Sequence, residues 1–359
     1  MQQNVHGGDI YSRKIVLDFS VNGNPLGAPV GVTEALREAV EHIGEYPDIT
    51  ARALTVAVSR MLSAEAGSRI PEEWLVFGNG ASELFLAIVH ALRPAQIVIP
   101  VPSFYGYEYA AEAAGSRIRY VAMPEENGFR PGEELLEALT EETDLLFFAN
   151  PNNPTGCYLT REYLADLIAY CRKRQITVVL DECFVEFGGS ADGGALSMLS
   201  ELEQYDNLVL VRAFTKSFAI PGVRLGYLVC SNSELTAAVR RHLPEWNLSV
   251  FAQAAGIACA SMDFEAYLSR TRQTVQKERA YLSEELTKLG IRVVSGEADF
   301  LLLYSEASLQ ELLLARGILI RDCGNYRGLR SGYYRIAVKD REQNRKLLQA
   351  LRECLEDGC

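Results

Sequence analysis

Lys216 and Arg224 stand eight residues apart in the run Val211-Arg212-Ala213-Phe214-Thr215-Lys216-Ser217-Phe218-Ala219-Ile220-Pro221-Gly222-Val223-Arg224-Leu225-Gly226-Tyr227, with a Pro-Gly turn between them. The lysine follows a β-branched apolar stretch, 208–211, and has hydroxyl neighbours in Thr215 and Ser217. An amine at the end of a strand, with a guanidinium downstream, suits condensation with a carbonyl group beside a phosphate. A surface lysine after a strand has the same local pattern, so other segments must decide between the two.

Four further segments end a strand or open a helix, the places where open α/β sheets gather ligands. Phe77-Gly78-Asn79-Gly80-Ala81-Ser82-Glu83-Leu84 is a glycine turn leading into an apolar helix. Free N–H groups at a helix start suit a phosphate, and Ser82 adds a hydroxyl, although a glycine turn needs no ligand. In Val101-Pro102-Ser103-Phe104-Tyr105-Gly106-Tyr107, Phe104 is placed either to stack on a flat heteroaromatic ring or to pack in the core. Asn150-Pro151-Asn152-Asn153-Pro154-Thr155-Gly156 is a dense turn holding the Asn153 amide where it can donate to a phenolic oxygen. In Val178-Val179-Leu180-Asp181-Glu182-Cys183-Phe184 a carboxylate ends a buried strand. Burying it unpaired is costly, so Asp181 faces a cation or acts as a cap, and a protonated pyridine nitrogen is such a cation.

These segments need a scaffold, and 359 residues suggest two domains with sizeable cores. Short β-rich runs at 74–77, 97–101, 145–149, 176–180, 208–211 and 227–230 alternate with amphipathic stretches. That rhythm predicts an α/β fold with a mostly parallel sheet covered by helices. Leu164, Leu167, Ile168 and Cys171 recur at helical spacing after a capping Thr160. Beyond residue 232 the rhythm changes to a long charged helix, then strands at 291–294, 300–304 and 334–338 with a helix at 309–315, as in a smaller α+β domain. The expected division is an N-terminal arm, 1–30, packing with the small domain; a large domain, 31–232; and a small C-terminal domain, 233–359. No internal repeat or low-complexity tract interrupts it.

Acidic residues outnumber basic ones by 47 to 35, a net charge of -12, which opposes binding to nucleic acid or to an anionic membrane. An anionic substrate must then be caught by local basic residues. No run is long enough to span a membrane, and Met1-Gln2-Gln3-Asn4-Val5-His6 lacks the build of a secretory signal, so a cytoplasmic protein is expected. The eight cysteines form no Cys-x-x-Cys pair and only four histidines accompany them. Reduced core or surface thiols are expected, with neither a metal site nor a disulfide framework.

Gly80-Ala81-Ser82, Phe104, Asn153, Asp181, Lys216 and Arg224, in that order, resemble the fold type I pyridoxal-phosphate enzymes, the aspartate aminotransferase superfamily. The similarity extends over about residues 6–345. The resemblance implies that Lys216 bonds the cofactor aldehyde, Asp181 meets the pyridine nitrogen, Asn153 the ring oxygen, and Phe104 stacks on the ring. It assigns the cofactor phosphate to Ala81, Ser82, Thr215 and Arg224. Tyr46, in Glu45-Tyr46-Pro47-Asp48, matches a tyrosine that reaches the phosphate from a neighbouring subunit, which implies a homodimer. Two positions depart from the commonest pattern: Phe184 stands where a tyrosine often donates to the ring oxygen, and Ala213 where a hydroxyl often assists the phosphate.

Within the superfamily, the ends of the chain resemble the threonine-phosphate decarboxylases of cobalamin biosynthesis. The matching segments are His6-Gly7-Gly8-Asp9-Ile10, Leu17-Asp18-Phe19-Ser20-Val21-Asn22-Gly23-Asn24-Pro25-Leu26-Gly27, Gly317-Ile318-Leu319-Ile320-Arg321-Asp322-Cys323-Gly324-Asn325-Tyr326-Arg327-Gly328-Leu329 and Tyr334-Arg335-Ile336-Ala337-Val338. The resemblance implies a phosphorylated amino-acid substrate, its phosphate against His6, Gly7, Asn22 and Arg321 and its α-carboxylate against Arg335 and Asn153. Arginine suits both groups because it binds carboxylate and phosphate bidentately. A terminal histidine without a ligand, and solvated surface charges at 321 and 335, are the competing readings. Arg13, Lys14 and Arg327 are expected to be solvated. The implied reaction is decarboxylation of L-threonine O-3-phosphate to (R)-1-amino-2-propanol O-2-phosphate. The rivals are transamination of histidinol phosphate or a related amino acid, and a noncatalytic cofactor-binding protein.

Overall fold

The computed structural model describes residues 6–188 and 196–356. Its larger sheet has seven strands in the order Leu75–Gly78, Gly226–Val229, Leu208–Ala213, Thr177–Asp181, Leu145–Ala149, Gln96–Val101 and Arg117–Ala122. Gly226–Val229 runs antiparallel to both its neighbours and every other pairing is parallel. Parallel strands covered on both faces are apolar along their whole length, as in Leu-Leu-Phe-Phe-Ala at 145–149. Successive side chains point to opposite faces, so Val98, Leu146, Val178 and Leu210 enter one core while Ile97, Phe147, Val179 and Val209 enter the other.

The helix Arg161–Arg172 begins as its sequence requires. The Thr160 hydroxyl accepts from the Tyr163 N–H, and Leu164, Leu167, Ile168 and Cys171 are its buried face. In the larger sheet one strand escaped the sequence reading: Arg117–Ala122, whose Arg-Ile-Arg-Tyr opening is poor in apolar residues because it forms the sheet edge. Charged side chains on an edge deter pairing with other chains and also hide the strand from a hydrophobicity reading.

A second sheet of four antiparallel strands, Arg321–Asp322, Tyr333–Ala337, Phe300–Tyr304 and Arg292–Val293, packs on the helices Phe264–Lys288 and Arg341–Glu356 through Leu282, Leu286, Leu301, Leu347 and Leu351. The N-terminal segment joins this unit, since Leu17–Asp18 pairs in parallel with Ile318–Leu319 and Phe19 is fully buried in the same core. The cysteines among the described residues are all buried and free, so none is a surface thiol; Cys359 lies outside the described residues. Among the described residues no group of side chains could hold a metal ion, and no helix is long and apolar enough to cross a membrane.

Candidate functional site

The ends of Gln96–Val101, Leu145–Ala149, Thr177–Asp181 and Leu208–Ala213 open toward the N-terminal segment and the second sheet, enclosing a cavity of about 330 Å³. His6, Gly7, Asn22, Ala81, Ser82, Phe104, Asn153, Asp181, Thr215, Lys216, Arg224 and Arg335 all line it. Residues separated by more than three hundred positions thus meet in one space, although only short strand-end motifs marked them in the sequence. Tyr46 and Arg321 are not part of the lining.

Lys216 lies on a single helical turn, Phe214–Ser217, directly after the strand Leu208–Ala213. Its Nζ donates to the Asn22 carbonyl at 3.4 Å and sits 5.8 Å from the centroid of the Phe184 ring. The turn is braced from the N-terminal arm: the Asn24 N–H donates to the Lys216 carbonyl at 3.1 Å and Asn24 Nδ2 to the Ser217 carbonyl at 2.8 Å. Burial lowers the Lys216 pKa, the nearby Asp299 opposes that shift, and Arg335 reinforces it. An amine so placed loses its proton more readily, as a nucleophile must.

Asp181 Oδ1 accepts from the Cys183 N–H at 2.9 Å and Oδ2 from the Tyr107 hydroxyl at 2.5 Å. Burial raises its pKa, while the bonds from Cys183 and Tyr107 and the charge of Lys216 hold it down. Tyr107 was missed in the sequence, though it lies one helical turn beyond Phe104 on Tyr105–Ala113. It is buried, stacked on Phe147 at 5.1 Å, and its ring meets Phe104 edge-on at 5.7 Å. A phenol three residues after a site residue was the available signal.

The opposite end of the cavity is an anion cradle. The helix Ala81–Leu92 starts after Gly80, which has φ +83° and offers no side-chain cap to the first N–H groups. A Cβ on Gly80 would come within 2.4 Å of Arg224 Nη2, and one on Gly226 within 2.7 Å of the Ala81 nitrogen. Backbone donors, a guanidinium and the hydroxyls of Ser82 and Thr215 therefore converge where no side chain fits, the donor set a phosphate requires. With a carboxylate at the far end and a buried amine between them, the residues fit pyridoxal phosphate. Phe184, at one wall, packs edge-on against Phe300 at 5.1 Å.

Arg335 is buried, contrary to the surface-charge alternative. Its Nη1 donates to Asn153 Oδ1 and its Nη2 to the Ser20 carbonyl at 3.0 Å, while Nε has no partner among the described residues. Because a guanidinium can only donate, Asn153 Oδ1 is identified as the amide oxygen, leaving the NH₂ group to donate to a ligand. Asn22 Oδ1 is likewise buried without a partner among the described residues. Arg321 is also buried, donating to the Asp322 carbonyl and, at 2.8 Å, to Asn325 Oδ1, with its guanidinium 5.1 Å from the Tyr326 ring centroid. Tyr326, which the sequence reading did not single out, takes the place in the cavity lining that Arg321 lacks.

His6 remains exposed but lies 5.8 Å from Phe104 and 6.0 Å from Tyr105, ring to ring. Partial desolvation lowers its pKa, followed by the fields of Arg321, Arg335 and Lys216. Gly7 is packed so closely that a Cβ would meet the Ser20 carbonyl at 2.5 Å, and the Gly8 N–H donates to Ser20 Oγ at 2.7 Å. Arg327 is exposed, as expected, and there its Nη2 pairs with Glu108 at 3.1 Å and its guanidinium lies 4.0 Å from the Tyr120 ring centroid. Tyr46 is 81% exposed and rests against Trp246, 4.8 Å between centroids.

Comparison with known proteins accounts for this arrangement. The family described as aminotransferase class I and II matches residues 14–351. A threonine-phosphate decarboxylase of Salmonella typhimurium is 36% identical over 98% of this chain and 96% of its own. A histidinol-phosphate aminotransferase of Symbiobacterium thermophilum is 33% identical over 96% of this chain and 91% of its own. The crystal structure of the histidinol-phosphate aminotransferase from Clostridium acetobutylicum superposes with a TM-score of 0.85 at 32% identity, covering 95% of this chain and all of that one.

Proposed function

The chain belongs to the aminotransferase class I and II family and is a pyridoxal-phosphate-dependent enzyme, and from that premise we propose that it decarboxylates L-threonine O-phosphate. The observation that supports this reading is a second set of basic groups. Beyond Arg224 at the phosphate cradle, Arg335 and His6 line the cavity and Arg321 lies against Tyr326 of its wall, in a chain of net charge -12. In this reading Arg335, whose Nε has no partner among the described residues, would receive an α-carboxylate, and His6, Gly7 and Asn22, with Arg321 against Tyr326, would receive a phosphate.

Bound pyridoxal phosphate supplies an electron sink conjugated to the substrate nitrogen. Lys216 would hold the cofactor through its amine, which substrate binding would free to move a proton. Asp181, its two oxygens held by Tyr107 and the Cys183 N–H, would favour a proton on the ring nitrogen. Phe104, Phe184 and Phe300 exclude water around the reacting carbon. Arg335 would orient the carboxylate whose bond to Cα breaks to give CO₂, and the Lys216 amine would return a proton to Cα, giving an amino-alcohol phosphate.

Transamination is the second reading, favoured by the likeness to the histidinol-phosphate aminotransferases. Lys216 would then move the α-proton and no carbon bond would break. Purified protein should release CO₂ from phosphothreonine. Transfer of the amino group of histidinol phosphate to 2-oxoglutarate, without CO₂ release from phosphothreonine, would replace the first reading with the second. Borohydride reduction of the holoenzyme should attach the cofactor to Lys216, and a label on another lysine would remove the basis of both.

The active unit in this reading is a homodimer. Tyr46 shares the surface with the exposed side chains of Val40, Ile43, Ile49 and Trp246, an apolar set suited to a second copy. From there Tyr46 would reach the partner's cofactor phosphate.

A further inference from the structure

Tyr326 lines the cavity, yet the reaction above gives its hydroxyl no role. Among the described residues the hydroxyl side chains of the lining are Ser20, Ser82, Thr215 and Tyr326. Ser82 and Thr215 belong to the cofactor cradle. Ser20 is committed to its own segment, since its Oγ donates to Asp18 Oδ1 at 2.7 Å and accepts from the Gly8 N–H at 2.7 Å. Outside the cradle, Tyr326 is therefore the hydroxyl left for a ligand.

The loop that carries Tyr326 joins the strands Arg321–Asp322 and Tyr333–Ala337 and is held from two sides. On the side of the smaller sheet it folds around Arg321: Nη1 donates to the Asp322 carbonyl, Nη2 to Asn325 Oδ1 at 2.8 Å, and the guanidinium lies 5.1 Å from the Tyr326 ring centroid. The Tyr326 N–H donates to the Cys323 carbonyl, and its own carbonyl accepts from the Leu329 N–H, both at 3.0 Å. On the side of the larger sheet, Gly328 has φ +86°, and a Cβ there would meet the Pro102 nitrogen at 3.2 Å and the Val101 carbonyl carbon at 3.3 Å. The loop thus rests directly on the end of the strand Gln96–Val101. Arg327 adds its pair with Glu108, on the helix Tyr105–Ala113 that also carries Tyr107. A side chain fixed in this way is placed before a ligand arrives, which reduces the cost of ordering it on binding.

We infer that Tyr326 is a specificity-determining residue of the substrate site: its hydroxyl donates to the phosphate of a phosphorylated amino acid, and Arg321 is a positioning residue that acts through the Tyr326 ring. A phosphate needs donors that reach it, whereas Arg321 is absent from the lining and its Nη1 and Nη2 serve the loop. Tyr326 stands between that guanidinium and the cavity. Burial raises the Tyr326 phenol above its ordinary value, against the pull of Arg335 and Arg321, so it stays protonated at neutral pH and has a hydrogen to donate. An amino acid without the phosphate has no oxygen to accept it there.

This inference rests on the proposed phosphorylated substrate, and the test separates the two. The half-saturating concentrations of phosphothreonine and of threonine are read from the change in the cofactor absorbance band on rapid mixing with the holoenzyme. That reading does not depend on which bond then breaks. Tyr326→Phe, which keeps the ring on Arg321, should raise the value for phosphothreonine about ten- to a hundredfold and leave threonine within about twofold. Inorganic phosphate should compete with threonine in the wild type and lose most of that competition in the variant. Tyr326→Leu, which also removes the ring, should show the same selective loss and serves if the first variant does not accumulate. Because Arg321 acts through the ring, Arg321→Ala should cost much less in the Tyr326→Leu background than alone, and additive effects overturn its positioning role. If the wild type prefers phosphothreonine and the folded Tyr326 variants keep the same preference, or lose both amino acids equally, Tyr326 does not set specificity. A wild type with no preference for phosphothreonine over threonine overturns the substrate reading and this inference with it.

Discussion

Tyr107 donates its phenolic hydrogen to Asp181 across 2.5 Å, and this contact joins a helix to the end of a strand 74 positions away. It fixes the orientation of the carboxylate and favours its charged form against burial. Tyr107→Phe should therefore weaken pyridoxal phosphate binding by about ten- to a hundredfold, the usual effect of losing a hydrogen bond to a charged group. The loss should be greater at acidic than at alkaline pH, since the Asp181 pKa rises further. Cofactor titrations followed by absorbance at several pH values would show it; equal affinity at every pH would contradict the anchoring role.

The two substrate arginines should separate by substrate. Arg321→Ala is expected to weaken phosphothreonine about ten- to a hundredfold while barely changing unphosphorylated threonine. Arg335→Ala should damage both, because each substrate has the carboxylate. Steady-state kinetics with the pair of substrates would decide, and a loss equal for both substrates in Arg321→Ala would remove that residue from the phosphate site.

Assembly has its own prediction. Light scattering at assay concentration should give at least a dimer, and Tyr46→Phe should lower cofactor affinity without altering the mass. A fully active monomer would rule out the role given to Tyr46.

The stability of the apoprotein should fall as pH rises from about 5 to about 7.5. Burial raises Asp299 from 3.8 and Glu186 from 4.5, each to about 7. The folded state thus binds protons that the unfolded chain has released. The stabilisation is complete below the unfolded values and is lost as pH climbs through the folded ones. Carboxylates with lowered pKa, such as Glu285 and Glu342, act only below that window. Asp299→Asn should flatten the slope by an amount on the order of 1–3 kcal/mol. Thermal melts of both apoproteins across the window measure it, and parallel pH profiles would show that Asp299 does not titrate there.

Much of this site was legible because its residues sit where strands end. Asp181, Asn153, Phe104 and Lys216 each follow a run of apolar residues whose length and period mark a buried strand, and parallel strands present their ends on one side. The edge strand Arg117–Ala122 was not legible, since its charged residues serve the edge and break the apolar pattern. Arg321 and Arg335 were named in the sequence, but their burial was not evident there. It depends on pairing between strands and on acceptors such as Ser20 and Asn325.

The sequence by itself determined the order of chemical groups along the chain: a glycine turn for an anion, an aromatic, an amide, a carboxylate, an amine and a guanidinium, each tied to a local element by short-range periodicity. Only the tertiary structure decided which groups face one another. Tyr107 on Asp181 and Asn24 on the Lys216 turn are contacts across 74 to 193 positions, and Tyr326 rather than Arg321 reaches the cavity. Local propensity contains nothing about such distances. They follow from burying two sheets and an N-terminal arm against one another, and burial then sets which charges are neutralised and which are left to act.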